Sequence, residues 1–81
     1  MTVTVRLFAR ARDLAGADRV AVDVPASATA GELRRQLVVQ IPALAALLER
    51  SALAVAGEFA EDDHVLSADA EIALLPPVSG G

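Results

Sequence analysis

The sequence predicts an α+β domain in which one main helix packs on one face of a mixed β-sheet. Apolar and polar residues alternate in two runs near the start of the chain, which indicates strands, and short apolar runs in the second half indicate further strands. A helix start signal precedes an apolar run in the middle of the chain. Of the 81 residues, 54% are apolar but only 2% are aromatic, so we expect one small domain with an aliphatic core.

The first two strands are predicted to pair as an antiparallel hairpin with a long loop. The run 3–9 alternates with period two, and its inward positions are Val3, Val5 and Leu7. The run 19–24 alternates in the same way and ends at Pro25. Between them, residues 10–16 predict one or two helical turns closed by Gly16.

The main helix is predicted to begin after Thr29, which forms a capping box with Glu32. Its apolar stripe is Leu33, Leu37 and Ile41. Its expected outward positions include Arg34 and Arg35. Pro42 interrupts this helix, so residues 43–50 are predicted to form a second short helix that packs Leu44, Leu47 and Leu48.

Two more strands are predicted in the second half, at residues 53–56 and 72–75. Gly57 turns the chain after the first of them, and a turn at 69–71 precedes the second. The acidic run 61–63 is expected to be a solvated loop.

The resulting order, β-β-α-β-β with a central crossover helix, describes a β-grasp (ubiquitin-like) domain over residues 1–75. In that arrangement the first and last strands lie side by side in the middle of the sheet. Residues 76–81 are predicted to leave one end of the sheet as a flexible C-terminal tail.

Composition excludes several classes of chemistry. The chain has no Cys, and all seven basic residues are Arg, so it offers no thiolate, disulfide or Lys-based Schiff base. A net charge of −4 argues against nucleic acid and predicts a basic protein surface as partner. No apolar run is long enough to span a membrane and no leader is recognisable, so we expect no membrane association and a cytoplasmic location.

A side-chain active site is not predicted. His64 is the only histidine and lies beside the acidic run, so we expect its side chain to be exposed to solvent. Asp62 and Asp63 are adjacent and are interpreted as loop charges, so no metal site is expected.

The strand periodicity predicts an apolar patch on the open face of the sheet. If Val3 and Ile72 face the helix, then Phe8 and Leu75 lie on the opposite face, near the end where the tail departs. Phe59, the only other aromatic residue, follows Gly57 in a short segment. Scattered surface apolar residues are ordinary, but their proximity to the tail favours a protein–protein contact.

The chain closes with Gly80 and Gly81 after two prolines. Two residues without side chains would let a main-chain carboxylate thread a narrow channel. A frayed terminus is the alternative interpretation.

These features together resemble a known family. The opening Leu7-Phe8-Ala9, with Arg12 and Leu14-Ala15-Gly16, and above all the closing Leu75-Pro76-Pro77-Val78-Ser79-Gly80-Gly81, are similar to the small, sulfur-carrying subunits of molybdopterin synthase (MoaD/ThiS-like, ubiquitin-like proteins). The likeness covers essentially the whole chain.

The resemblance implies a function for the terminal glycine. An E1-like adenylyltransferase would use ATP and magnesium to adenylate Gly81, and a sulfur donor of the cysteine desulfurase or rhodanese type would convert it to a thiocarboxylate. The sulfur would then pass to cyclic pyranopterin monophosphate in the large synthase subunit, within a heterotetramer. The chain would bind no cofactor itself and would not be catalytic alone.

The resemblance also assigns roles to individual positions. Gly81 would hold the sulfur and Gly80 would let the tail pass. The partner-binding residues would be Phe8, Phe59, Leu75, Pro76, Pro77, Val78 and Ser79. Two positions depart from the family pattern, because Ala56 stands where Asn is usual and Ala70 where Gly is usual.

The fold and the two glycines leave other functions open. Related carriers supply sulfur for thiamin thiazole, tRNA thiolation or cysteine synthesis. A ubiquitin-like protein modifier would instead attach Gly81 to lysines of its targets. A purely structural interaction domain would tolerate deletion of both glycines.

Overall fold

The computed structural model describes residues 1–76, which form a five-stranded sheet in the order β2-β1-β5-β3-β4. The strands are β1 (Thr2–Leu7), β2 (Arg19–Asp23), β3 (Ala52–Val55), β4 (Glu58–Ala60) and β5 (Ile72–Leu75). The central strands β1 and β5 are parallel, and the other neighbours are antiparallel. This mixed sheet confirms the α+β, β-grasp prediction and the central pairing of the first and last strands.

Three helices accompany the sheet: α1 (Ala9–Ala15), α2 (Ala30–Gln40) and α3 (Ala45–Leu48), the last preceded by a 3-10 turn at Pro42–Leu44. Gly16 ends α1 in the left-handed conformation with φ +72°, as its sequence position predicts. The capping box of α2 is present: Thr29 Oγ1 accepts from the Glu32 amide, and a Glu32 carboxylate oxygen accepts from the Thr29 amide, both at 3.2 Å.

The core lies between the helices and one face of the sheet and is aliphatic throughout. The inward residues predicted for β1 and β5 are buried, namely Val3, Val5, Leu7, Ile72 and Leu74. Of the alternating valines in the run 19–24, Val22 and Val24 are buried and Val20 is half-buried, and β3 adds the buried Leu53 and Val55. The helices contribute Leu33 and Leu37 from α2, and Leu44, Leu47 and Leu48 from the turn and α3. Burying these side chains supplies the main favourable term in folding a domain of this size.

Two sequence predictions need correction. Residues 58–60 form a short strand, β4, which three residues are too few to reveal by periodicity. Arg34 does not simply face solvent, because its guanidinium donates hydrogen bonds to the carbonyl oxygens of Leu48 and Ser51. Arg34 therefore joins α2 to the end of α3 and the start of β3.

Candidate functional site

The open face of the sheet carries a row of residues that crosses four strands. Arg6 on β1 lies opposite Ala73 on β5, which lies opposite Ala54 on β3, which lies opposite Phe59 on β4. The two alanines have only methyl side chains, so the surface is depressed in the middle of the row and raised at its ends, where the larger Arg6 and Phe59 side chains stand. This geometry makes a trough along the sheet between Arg6 and Phe59.

Phe8 forms one wall of the trough. It follows β1 in extended conformation and occupies the N-cap position of α1, where its carbonyl accepts from the Ala11 amide at 3.1 Å. Its side chain remains 37% exposed, and the Arg6 guanidinium carbon lies 5.4 Å from the ring centroid. The backbone start of α1 and a cation–π contact thus fix the ring on the open face.

Leu75 lies at the centre of two adjoining concavities. One, of about 300 Å³, is lined by Arg6, Phe8, Ala54, Gly57, Glu71, Ile72, Ala73 and Leu75. The other, of about 420 Å³, is lined by Glu49, Arg50, Ser51, Ala52, Phe59, Leu75 and Pro76. We call the surface that the two concavities form together the open-face groove. Its floor consists of Ala52, Ala54, Ala73 and Leu75, and its walls are formed by Phe8 and Phe59.

The structure therefore brings Phe8 and Leu75 to one face, as the strand periodicity predicts, and β4 places Phe59 on the same surface. Phe59 is 79% exposed, and together with Phe8 and Leu75 it makes the open face apolar at this end of the sheet. Pro76 lines the groove where β5 ends. The predicted residues Pro77, Val78, Ser79, Gly80 and Gly81 lie outside the described residues, and their roles stay predictions.

The described residues offer little to side-chain catalysis or metal binding. His64 is exposed, and its carbonyl oxygen accepts from the Ala30 amide at 2.9 Å, so its evident contribution is to the backbone. Among residues 1–76 no group of three His, Asp or Glu side chains could hold a metal ion. In the same part of the chain, no helix is both long and apolar enough to cross a membrane.

Sequence reasoning missed several residues of the groove. The sequence pattern does not single out the alanines of the floor, because alanine is common on both faces of strands. Arg50 borders the groove although it lies in the connection between α3 and β3. Only the alternation of β1 pointed to Arg6, which shares the open face with Thr2 and Thr4.

The two departures from the family pattern have different consequences. Ala56 and Gly57 join β3 to β4 with φ values of +53° and +82°, which is the signature of a type I′ hairpin turn. Alanine is strained there, whereas asparagine or glycine is not. Ala70 is not among the residues with positive φ, so it does not need the conformational freedom of glycine.

Comparisons with known proteins agree with this fold. The ThiS family model matches residues 5–81. The molybdopterin synthase sulfur carrier subunit of Arabidopsis thaliana is 33% identical over 79 residues, covering 98% of this chain and 82% of the relative. That of Caenorhabditis briggsae is 37% identical over 83 residues, covering 100% and 99%.

Solved structures superpose along nearly the whole chain. The small archaeal modifier protein 1 of Haloferax volcanii gives a TM-score of 0.85 at 33% identity, over 95% of this chain and 98% of that one. A chain of the complex of subunits 1 and 2 of molybdopterin-converting factor from Helicobacter pylori gives 0.71 at 26% identity, with full coverage of both. The chain therefore belongs to the ThiS family, and its curated relatives of matching length are molybdopterin synthase sulfur carrier subunits.

Proposed function

We propose that this chain carries sulfur on the main-chain carboxylate of Gly81 and donates it to cyclic pyranopterin monophosphate in the large subunit of molybdopterin synthase. The observation that supports the proposal best is the open-face groove. It surrounds Leu75 and Pro76, the last described residues before the two glycines. A partner seated on this groove would receive residues 77–81 at its own reaction centre.

The chemistry of the proposal begins with activation. A carboxylate resists nucleophilic attack, so an E1-like adenylyltransferase would use ATP and magnesium to convert Gly81 to an acyl adenylate. In this step a carboxylate oxygen bonds to the α-phosphorus of ATP and pyrophosphate leaves. This chain supplies the carboxylate and the docking surface, and the partner supplies the catalytic groups.

Sulfur loading and transfer follow. A donor of the cysteine desulfurase or rhodanese type would attack the acyl carbon with the terminal sulfur of a persulfide, and adenosine monophosphate would leave with the former carboxylate oxygen. A second thiol of the donor system would then cleave the resulting acyl disulfide, which leaves the thiocarboxylate on Gly81 and joins the two thiols in a disulfide. In the large subunit the thiocarboxylate sulfur would bond to a carbon of the pterin precursor, and water would then attack the acyl carbon, which breaks the acyl–sulfur bond and returns Gly81 to a carboxylate. Because the chain has no Cys, no side chain competes for this sulfur.

The partner assignment is supported by a relative. The Helicobacter pylori chain belongs to a protein–protein complex of subunits 1 and 2. By analogy we propose a large-subunit partner for this chain, in a heterotetramer, with the E1-like enzyme using the same groove at another time. This chain alone would have no catalytic activity.

Intact mass spectrometry tests the proposal. The chain, expressed in its own host without a C-terminal tag, is expected to show replacement of one oxygen by sulfur, mapped to Gly81. Deletion of Gly81 should abolish molybdopterin formation with the large subunit and precursor, whereas Asp69→Asn, in an exposed turn, should not. Absence of the thiocarboxylate, together with normal molybdenum-enzyme activity in the deletion strain, would overturn the proposal.

A second function, protein modification, is favoured by the similarity to the small archaeal modifier protein. The last basic residue is Arg50, so trypsin would leave residues 51–81 on a modified lysine and obscure the conjugate. A Ser79→Arg variant would instead leave only two glycines on the lysine. Proteome-wide detection of that remnant would establish modification, and its absence while molybdopterin still forms would exclude it.

Carriers for thiamin thiazole, tRNA thiolation or cysteine synthesis are distinguished by which product is lost when the gene is deleted.

A further inference from the structure

Arginines gather at the end of the sheet where β5 finishes. The parallel strands β1 and β5 end together, with Leu7 opposite Leu74, and β3 begins beside them, with Ala52 opposite Leu75. At this end Arg6 and Arg19 face each other across β1 and β2. Arg10 in α1 and Arg50 before β3 line a further cleft with Leu14 and Leu47.

Two of these arginines border the open-face groove directly. Arg6 lines the concavity that contains Phe8 and Leu75. Arg50 lines the concavity that contains Phe59, Leu75 and Pro76. Both arginines are exposed, so their charges are accessible on opposite sides of the apolar floor.

Most of the carboxylates lie elsewhere, although Asp18 precedes Arg19 at the arginine-rich end, where its carbonyl oxygen accepts from the Leu7 amide at 2.8 Å. Glu58, Asp69 and Glu71 lie near the start of β5, at the far end of the sheet, and the acidic run 61–63 lies by the N-terminus of α2. Glu49 lines the groove beside Arg50, and Glu71 lines it with Arg6. Within residues 1–76, however, the one pair of charged side chains within 4.0 Å is Arg34 with Asp62.

This arrangement has an energetic consequence for the free chain. Like charges directly opposite each other on neighbouring strands, such as Arg6 and Arg19, are destabilising. Glu71 lines a cleft with both arginines, but no carboxylate of the described residues lies within 4.0 Å of either guanidinium. A partner carboxylate placed at this end would therefore gain attraction and relieve a repulsion.

We propose, on the basis of the function proposed above, that the large subunit presents carboxylates to Arg6 and Arg50 around the open-face groove. The net charge of −4 predicts a basic partner, but the lining of the groove carries two arginines, Arg6 and Arg50, against two glutamates, Glu71 and Glu49. The acidic excess of the chain therefore does not extend to the docking surface. The acidic residues near the start of β5 and the arginines near its end would orient the chain, so that the end carrying Pro76 approaches the large subunit first.

Charge reversal with salt titration tests the inference. The dissociation constant of the complex with the large subunit is measured by calorimetry for the wild type, Arg6→Glu, Arg50→Glu and the neutral variants Arg6→Gln and Arg50→Gln. Each reversal is expected to weaken binding roughly fivefold to tenfold at low salt, and each neutral variant less, with smaller effects as salt rises. Arg35→Glu, exposed on α2 and away from the groove, is the matched control and should bind like the wild type.

The outcomes separate this inference from the function on which it rests. Tighter or unchanged binding by both reversal variants, with melting temperatures like the wild type, would show that the partner is not acidic here and would overturn the inference alone. Failure of the wild-type chain to bind the large subunit would overturn the proposed function and this inference together. Weakening by the reversals but not by Arg35→Glu would support both.

Discussion

The guanidinium carbon of Arg6 lies 5.4 Å from the centre of the Phe8 ring, on the open face of the sheet. The arginine covers part of one wall of the groove, so Phe8 is held in place without being part of the core. A side chain that is ordered yet accessible costs less conformational entropy when a partner covers it.

Phe8→Ala should weaken binding to the large subunit by about 1–2 kcal/mol, because a large aromatic contact is removed from the groove. The free energy of unfolding should change little, since the ring is outside the core. Calorimetric titration and urea unfolding give the two values. The matched control is Val39→Ala on α2, where the side chain is 72% exposed and binding should be unaffected. Loss of folding in Phe8→Ala would contradict our placement of the ring.

Leu75→Arg should abolish measurable docking while leaving the fold intact. Leu75 lines both concavities of the groove, so a charged side chain there would be desolvated by any partner, whereas in the free chain it can reach solvent. Gel filtration of the mixed subunits and circular dichroism of the free variant report the two properties. The neighbouring Leu74 is fully buried, and Leu74→Arg should unfold the domain. Equal damage to the fold by both substitutions would refute the assigned faces of β5.

Ala56→Asn should stabilise the domain by about 0.5–1 kcal/mol, because asparagine tolerates the positive φ of the β3–β4 turn better than alanine. The substitution creates the Asn-Gly pair that type I′ turns favour. Ala70→Asn is the comparison, since Ala70 lacks a positive φ and no gain is expected. Urea denaturation of the three proteins measures the difference. A gain at position 70 but none at 56 would contradict the turn assignment.

Arg34→Met should destabilise the domain by about 2 kcal/mol, since two carbonyl oxygens lose charged donors. The ion pair with Asp62 adds little, because the Asp62 side chain is 80% exposed. Arg35→Met, at an exposed neighbouring position, should change stability by no more than about 0.5 kcal/mol. Thermal and urea unfolding of both variants provide the test, and equal stabilities would show that the Arg34 hydrogen bonds are unimportant.

Local patterns determined much of this fold. Because side-chain direction in a strand has a period of two, the buried and open faces of β1 and β5 were assigned correctly, and in β2 Val22 is buried as predicted whereas Val20 is half-buried. The Thr29–Glu32 capping box located the start of α2 because its hydrogen bonds lie within one turn. The closing motif through Gly81 pointed to the family without any structural information.

Other features depended on contacts between distant parts of the chain. The strand β4 exists because β3 supplies its hydrogen bonds, and the role of Arg34 depends on where α3 ends. The pairing of Arg6 with Ala73, and of Ala54 with Phe59, sets the shape of the groove, yet register is a property of paired strands and not of either segment alone.

The sequence by itself determined the fold class, the two faces of the sheet and the family, since each rests on spacing within short segments or on a contiguous motif. Only the tertiary structure decided that Phe8, Leu75 and Phe59 share one groove, and that Arg6 and Arg50 border it beside Glu71 and Glu49 in a chain of net negative charge. Net charge sums over all residues, whereas a partner meets the charges of one surface, and the fold alone assigns residues to surfaces.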